Sequence, residues 1–369
     1  MLTFNSQLSI LNSSYMKQKI GFLAVLTLLW SVFYSCSTDV PINAPYKDIY
    51  VVYGVLNATD SIQYIRVSKA FLVNQDAIEY AKTYDPSVKG LKVVLKGFGK
   101  TYTATQIDNV PLKGEGAFYP FTTLYKIETK GTNALVTGRR YDLTISKLED
   151  DSLQLTAHTF IPLRPDITYP DYAPGPGNTK SIRQMPLQGE VEMTWKAPTS
   201  AGAAYGFEVR AFLYHETNGI ADTATYVSNL VLNGTGQRCV PSASSMCYKF
   251  QAKEIIRVFR NQMNDASAIY TYDDSPKSGL VADLPRSLRY EVTSIDTALT
   301  KYLRVNSPSY TDFNTVKPEY TNLTGTKDVY GVFGSINKAS AYTIMDDCPE
   351  YLLRLNNTPL PGTTQACQW

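Results

Sequence analysis

The sequence predicts a mostly-β protein built from two antiparallel β-sandwich domains, with a helical insertion in the second. Three observations carry this. From Ile49 onward, short runs alternate apolar and polar residues, as strands with one buried face require. Turn residues separate these runs, and only the stretch at about 251–263 has a convincing helical period. A proline-dense segment, residues 164–182, divides the strand-bearing regions in two.

The chain opens differently. Met16-Lys17-Gln18-Lys19 carries two positive charges, Ile20 to Leu29 is almost wholly apolar, Trp30 extends the run, and small Ser35 stands before Cys36. That order is the charged, apolar and cleavage regions of a secretory signal over residues 1–35. The apolar run falls short of the roughly 20 residues a membrane span needs. Residues 1–15 are uncharged and show no targeting logic, so translation is expected to begin at Met16. The segment LLWSVFYSCSTDV resembles a bacterial lipoprotein signal, with Phe33 where that family usually has leucine. The resemblance implies that Cys36 is lipidated and becomes the mature N-terminus, followed by a polar tether over 36–47. An ordinary signal peptide cut near Cys36 and a short membrane anchor are the alternatives. Lipid would serve as the anchor, at roughly 0.8 kcal/mol for each buried CH₂.

Cysteine number fits export. Of five cysteines, Cys36 is the lipid candidate, leaving Cys239, Cys247, Cys348 and Cys367. Four cysteines allow three connectivities, and the local pairs Cys239 with Cys247 and Cys348 with Cys367 are favoured because each closes a short, turn-rich segment. Zinc is the rival reading, but there is no C-x₂-C and the chain has two histidines, so no metal and no cofactor is expected. Oxidised cysteines imply an oxidising compartment. A net charge of +2 without a basic stripe argues against a nucleic-acid partner. Tyrosine is abundant, with 27 copies. Tyrosine suits strands, and an exposed set can also stack on sugar rings.

The first sandwich is placed at 48–163. DIYVVYGVLN alternates, with Ile49, Val51, Tyr53 and Val55 as the set expected to face in, and SIQYIRVSKAF follows a turn, with Ile65 and Val67 expected inward and Arg66 and Ser68 outward. Leu91, Val93 and Leu95 share a face, as do Tyr141, Leu143 and Ile145, and Leu153, Leu155 and Ala157. Tyr141 resembles the tyrosine corner of immunoglobulin-like folds. The second sandwich is placed at 183–345. Val191, Met193 and Trp195 alternate inward, then Tyr205, Phe207, Val209 and Ala211. This pattern resembles the second and third strands of a fibronectin type III module, which makes Trp195 a core residue. ATYVSNLVLNG reads as a strand. In the helix, Ala252, Ile255, Ile256, Phe259 and Met263 form the buried stripe. SLRYEVTSI returns to strand, TALTKYLRVN is a short helix, and DVYGVFGSINKASAYTIM is a final strand interrupted at Gly331 and Gly334. Residues 346–369 form a tail tied by the second disulfide.

The order of lipid signal, YVVYGVLNATDSIQYIRVSKAF, tryptophan-marked sandwich and late GVFGS resembles an uncharacterised lipoprotein family of the Bacteroidota, built on a domain of unknown function. The resemblance implies an outer-membrane location on the periplasmic or extracellular face, and a partnership with a TonB-dependent transporter. Asp151-Ser152-Leu153 and Asp296-Thr297-Ala298 also resemble the O-glycosylation motif of that phylum.

Catalytic signals are few. His158 and His215 lie in or beside strands without a G-x-S-x-G elbow, and no phosphate loop or dinucleotide fingerprint is present. Paired carboxylates are candidates for glycoside hydrolysis in the run Glu149-Asp150-Asp151 and at Asp273-Asp274 and Asp346-Asp347, with solvated loop acids as the plainer reading. The expectation is a non-enzymatic, lipid-anchored binding or scaffold protein of the cell envelope, an accessory to nutrient uptake or an adhesion module that touches a transporter or a glycan. The alternative is a glycan-active hydrolase. A protease-inhibitor or pilus-like assembly subunit is a third reading.

Overall fold

Alternation along the strands resolves into two buried clusters that share one long sheet. The structure is a computed structural model that describes residues 47–71, 73, 76–112, 119–149, 152–169, 189–196, 204–215, 220–227, 231–232, 245–262, 270–271, 288–306 and 320–343. Strands predominate, with three α-helices among the described residues.

The N-terminal half contains β1 (Ile49–Asn57), β2 (Ile62–Lys69), helix α1 (Ala77–Thr83), β3 (Leu91–Gly97), β4 (Lys100–Thr103), β5 (Thr105–Pro111), β6 (Phe121–Glu128), β7 (Arg140–Lys147), β8 (Gln154–Phe160) and β9 (Asp166–Tyr169). The C-terminal half contains β10 (Glu190–Lys196), β11 (Ala204–His215), β12 (Ile220–Val227), β13 (Val231–Leu232), β14 (Ser245–Gln251), helix α2 (Ala252–Gln262), β15 (Tyr270–Thr271), β16 (Leu288–Ile295), helix α3 (Thr297–Val305), β17 (Thr324–Gly325) and β18 (Asp328–Thr343).

The long sheet runs β12-β11-β16-β18-β1-β2-β6-β5. A second sheet, β17-β8-β7-β3-β4, closes the first sandwich, and a third, β14-β10-β9, closes the second. The first core joins Val52, Leu56, Ile65, Val67 and Tyr125 of the long sheet to Val93, Leu95, Tyr141, Leu143, Ile145 and Leu155 of its partner. The second core joins Tyr205, Phe207, Val209, Tyr290 and Val292 to Val191, Met193, Trp195, Phe250 and the α2 residues Ile255, Ile256 and Phe259. Trp195 packs its ring 5.6 Å from that of Tyr205. On most strands these are the inward positions that the alternation predicted, and burying them supplies most of the folding drive. On β1 the expectation is reversed: Tyr50, Val52 and Leu56 are buried, while Tyr53 and Val55 of the predicted set face outward, because both faces of this strand are apolar and alternation alone does not choose between them. Tyr141 is also buried, and its hydroxyl accepts from Val136 N at 2.8 Å, five residues back along the chain.

Domain boundaries differ from the sequence reading. Residues 183–345 do not form a self-contained second sandwich. The first half of β18 pairs in parallel with β1, from Ile49 opposite Asp328 to Asn57 opposite Ile336. Its second half pairs antiparallel with β16, from Ile295 opposite Ile336 to Leu288 opposite Thr343. Leu323, Val329 and Phe333 therefore complete the first core, and β17 pairs with β8. The break at 164–182 also contains β9, a strand of the second sandwich paired with β10. A parallel partner far along the chain leaves no local signal, which is why a boundary drawn at the proline-rich segment looks complete. Ser68, expected outward, is buried, because it bridges Ser87 in the segment after α1.

Two glycines make the shared strand fit. Gly331 has φ +105°, and a Cβ there would overlap the Val52 carbonyl oxygen of β1. A Cβ on Gly334 would stand 2.6 Å from Leu299 Cβ, so the bare backbone admits α3. Helix α3 thus lies on the face opposite both cores, where Ile295, Leu299 and Val332 are buried together with Tyr302, Leu303 and Ile336 at their edge.

Candidate functional site

The outward face of the long sheet gathers an exposed tyrosine set. Register defines its rows. Val332, Tyr53, Arg66, Leu124 and Ile107 stand side by side across β18, β1, β2, β6 and β5. Tyr330, Val51 and Ser68 form the row on one side. On the other, Tyr64 stands beside Lys126, and Val55 stands beside Gly334. Tyr53 is 41% exposed, Tyr64 46%, Tyr330 38% and Val55 38%. Neighbouring side chains on one face of a pleated sheet lie within mutual reach, so these residues form one continuous surface.

Helix α3 borders this surface. Its Tyr302 meets Tyr53 edge to face, with ring centroids 6.1 Å apart at 72°, and donates its hydroxyl to the Tyr53 oxygen at 3.2 Å. Burial, and secondarily the bond to Tyr53, pushes the Tyr302 phenol up to about 12, so it stays protonated and remains a donor. Arg66 lies at the centre. Its Nε is buried and has no hydrogen-bond partner among the described residues. Lys126 and Glu128 form a 2.8 Å ion pair at the rim, which raises the lysine and lowers the glutamate. The rim acid is therefore already satisfied, and no described residue neutralises Arg66.

Farther along the same face, over the second sandwich, two carboxylates meet. Glu208 of β11 stands opposite Glu291 of β16, and Arg210 stands opposite Arg289. Like charges in direct opposition are unfavourable, and cations offset them. Lys338 of β18 reaches Glu291 at 2.6 Å, Arg289 lies 3.8 Å from Glu291, and Arg210 pairs with Glu208. Glu291 is 5% exposed.

The third polar feature is the junction where the sandwiches meet. Asp296 caps α3, accepting from Leu299 N at 2.8 Å on Oδ1 and from the Thr159 hydroxyl at 2.5 Å on Oδ2. Thr159 also lies 2.8 Å from the Ser335 hydroxyl, which donates to the Phe160 carbonyl at 2.8 Å. Asn337 donates to the Pro162 carbonyl at 3.0 Å. Burial raises the Asp296 carboxyl, opposed by its hydrogen bonds from Thr159 and the backbone. All of these groups close on one another, so this cluster reads as structural.

Comparison with known proteins assigns no family. The chain matches no family model, and no curated protein is significantly similar to it.

Cys36, Cys239, Cys348 and Cys367 lie outside the described residues, as do Asp150, Asp151, Asp273, Asp274, Asp346 and Asp347. Cys247 is on β14, 2% exposed and disulfide-bonded, with every other cysteine outside the described residues. His158 is exposed on β8, and His215 ends β11, opposite Ile220. No acid stands opposite His158 other than Asp142, its cross-strand neighbour on β7, which Arg140 engages at 2.6 Å. Among the described residues no cluster of three potential metal ligands occurs, and no helix is long and apolar enough to cross a membrane. Of the glycosylation-like sites, Thr297 is exposed at the start of α3, but its neighbour Asp296 is buried as the helix cap.

The tyrosine surface and the Glu208–Glu291 opposition were not foreseen. Alternation marked Arg66 as outward and left Glu208 and Glu291 on the faces opposite the apolar ones, but it placed Tyr53 on the wrong face. Which outward residues share a surface depends on strand register, and the register joins segments hundreds of residues apart.

Proposed function

We propose that this protein is a non-enzymatic, lipid-anchored binding protein of the bacterial cell envelope, held at the outer membrane through Cys36 and presenting the tyrosine surface to its partner. In this reading it serves as an accessory to nutrient uptake or surface adhesion, and it belongs with the Bacteroidota lipoproteins that its sequence resembles. The supporting observation is the exposed set Tyr53, Tyr64 and Tyr330 around Arg66 on one open sheet face. Large rigid aromatic side chains next to an arginine are the residue types that dominate recognition surfaces. The two sandwiches are read as immunoglobulin-like and fibronectin type III-like, with Cys247 paired locally to Cys239 and Cys348 to Cys367.

Two measurements test this. Cys36→Ala should release the protein from membranes, and continued membrane association would remove the anchor. A photo-crosslinking residue at position 64 of the anchored protein should capture an envelope component from intact cells, read by mass spectrometry. A transporter or a glycan in the adduct supports the accessory role, and an empty crosslink at this surface removes the binding reading.

The opposition of Glu208 and Glu291 favours a second reading, a glycan-active hydrolase with carboxylate catalysis. Turnover of a glycan that Glu291→Gln abolishes would establish it. Each carboxylate is engaged by a cation, which fits a structural ion network better.

A further inference from the structure

The tyrosine surface has a chemistry more specific than stickiness. The structure assigns to it a carboxylate-bearing saccharide, a uronic-acid type of sugar, with Arg66 meeting the carboxylate and Tyr53, Tyr64 and Tyr302 meeting the ring. This inference rests on the reading of the outward face as the binding surface.

Charge comes first. Arg66 stands between Tyr53 and Leu124 in its row, and its Nε proton has no acceptor among the described residues. The guanidinium as a whole is half-buried, and no acid among the described residues pairs with it, so its charge is left open on this face and the surface is complementary to an anion. A planar guanidinium fork matches a carboxylate in two-point geometry better than it matches a neutral hydroxyl. Glu128, an acid on the same face, is held by Lys126 and cannot fill that role.

Shape narrows the ligand. β1 and β2 are interior strands, flanked by β18 and β6, so their backbone donors and acceptors are consumed in the ladders. An extended peptide that binds by adding a strand finds no open edge here. What the face offers is ring surface and hydroxyls. Tyr53 and Tyr64 expose their rings across two adjacent strands, while Tyr302 donates its hydroxyl to that of Tyr53, which leaves the Tyr53 proton to be donated elsewhere. A pyranose carries a C–H face that stacks on an aromatic ring and a fringe of hydroxyls, and a uronate adds the anion that Arg66 lacks.

The test uses the full lipidated protein in detergent micelles, titrated calorimetrically with trigalacturonate, with maltotriose as the neutral match. Trigalacturonate should bind saturably and at least about tenfold tighter than maltotriose, the ratio expected when one charge-assisted bond is gained. Arg66→Ala should remove that advantage and leave the two trisaccharides equal. Arg66→Lys should restore only part of it, because the ammonium has no fork. Tyr64→Ala should weaken both sugars severalfold with an unchanged thermal melt. Equal binding of the two sugars by the native protein, or trigalacturonate binding indifferent to Arg66→Ala, overturns the inference. If no sugar binds while the position-64 crosslinker captures an envelope protein, the binding-surface reading stands and the saccharide assignment falls. If neither occurs, both fall.

Discussion

The hydroxyl of Thr159 on β8 donates to Asp296 Oδ2 at 2.5 Å, so a strand of the first sandwich holds the residue that caps α3. The carboxylate is buried, and burial raises it above its ordinary value. The direction fixes a pH dependence. The folded state prefers the protonated acid, so this group's contribution is fully present below the unfolded aspartate value of about 3.9 and is lost as pH rises through the higher folded value. Tyr320 faces the same site, raised by burial first and by the Asp296 charge second. Asp296→Asn keeps a capping oxygen and removes the titration, so its melting temperature should match or exceed that of the native protein at pH 7. The gap should close as the pH is lowered towards 4. Asp296→Ala loses both the cap and the Thr159 bond and should cost about 2–4 kcal/mol in urea unfolding.

A fragment ending at residue 163, the boundary that the sequence suggests, should fail to fold. It lacks Leu323, Val329 and Phe333, which fill the first core, and it leaves the β18 side of β1 unpaired. Circular dichroism and gel filtration of that fragment should show an unfolded or aggregated chain. A sharp, independent melt would show that the shared strand is dispensable to the first sandwich.

Gly331→Ala should be strongly damaging. The substitution forces an L side chain to φ +105° against the β1 backbone, which cannot yield. The expected loss is at least about 2 kcal/mol. Gly334→Ala should cost about 1–3 kcal/mol by lifting α3, and it should also separate Tyr302 from Tyr53, visible as a tyrosine fluorescence change.

Glu291→Ala should destabilise by about 2 kcal/mol, because it strands Lys338 and Arg289 beside a buried position. The value is set below that of a deep pair because both cations keep some contact with solvent. Glu208→Ala, whose carboxylate is more exposed, should cost less than about 1 kcal/mol. A reversed order under urea denaturation would mean that the network is organised around Glu208.

Much of the fold could be read before any coordinates, for local reasons. Alternation placed Ile65, Val93, Tyr141, Trp195 and Tyr290 inward, and the helical stripe placed Ile255, Ile256 and Phe259 under α2. Helix α1 was missed despite Asp76 accepting from Ile78 N and Glu79 N at its start, because it is only about two turns long between strands. β6 was missed because Thr122 and Thr123 occupy buried positions and disguise the alternation. The parallel pairing of β1 with β18 and the surface around Arg66 depend on contacts between residues distant in sequence. No local period encodes them.

The placement of β1 has a mechanical consequence. The strand begins two residues after the first described residue, Lys47, and lies between β18 and β2, laddered on both sides. Tension entering along the chain at that end pulls lengthwise on two sets of hydrogen bonds at once. Those bonds must rupture together instead of unzipping singly, so the proposed anchoring through Cys36 would load the fold in its mechanically stiff direction.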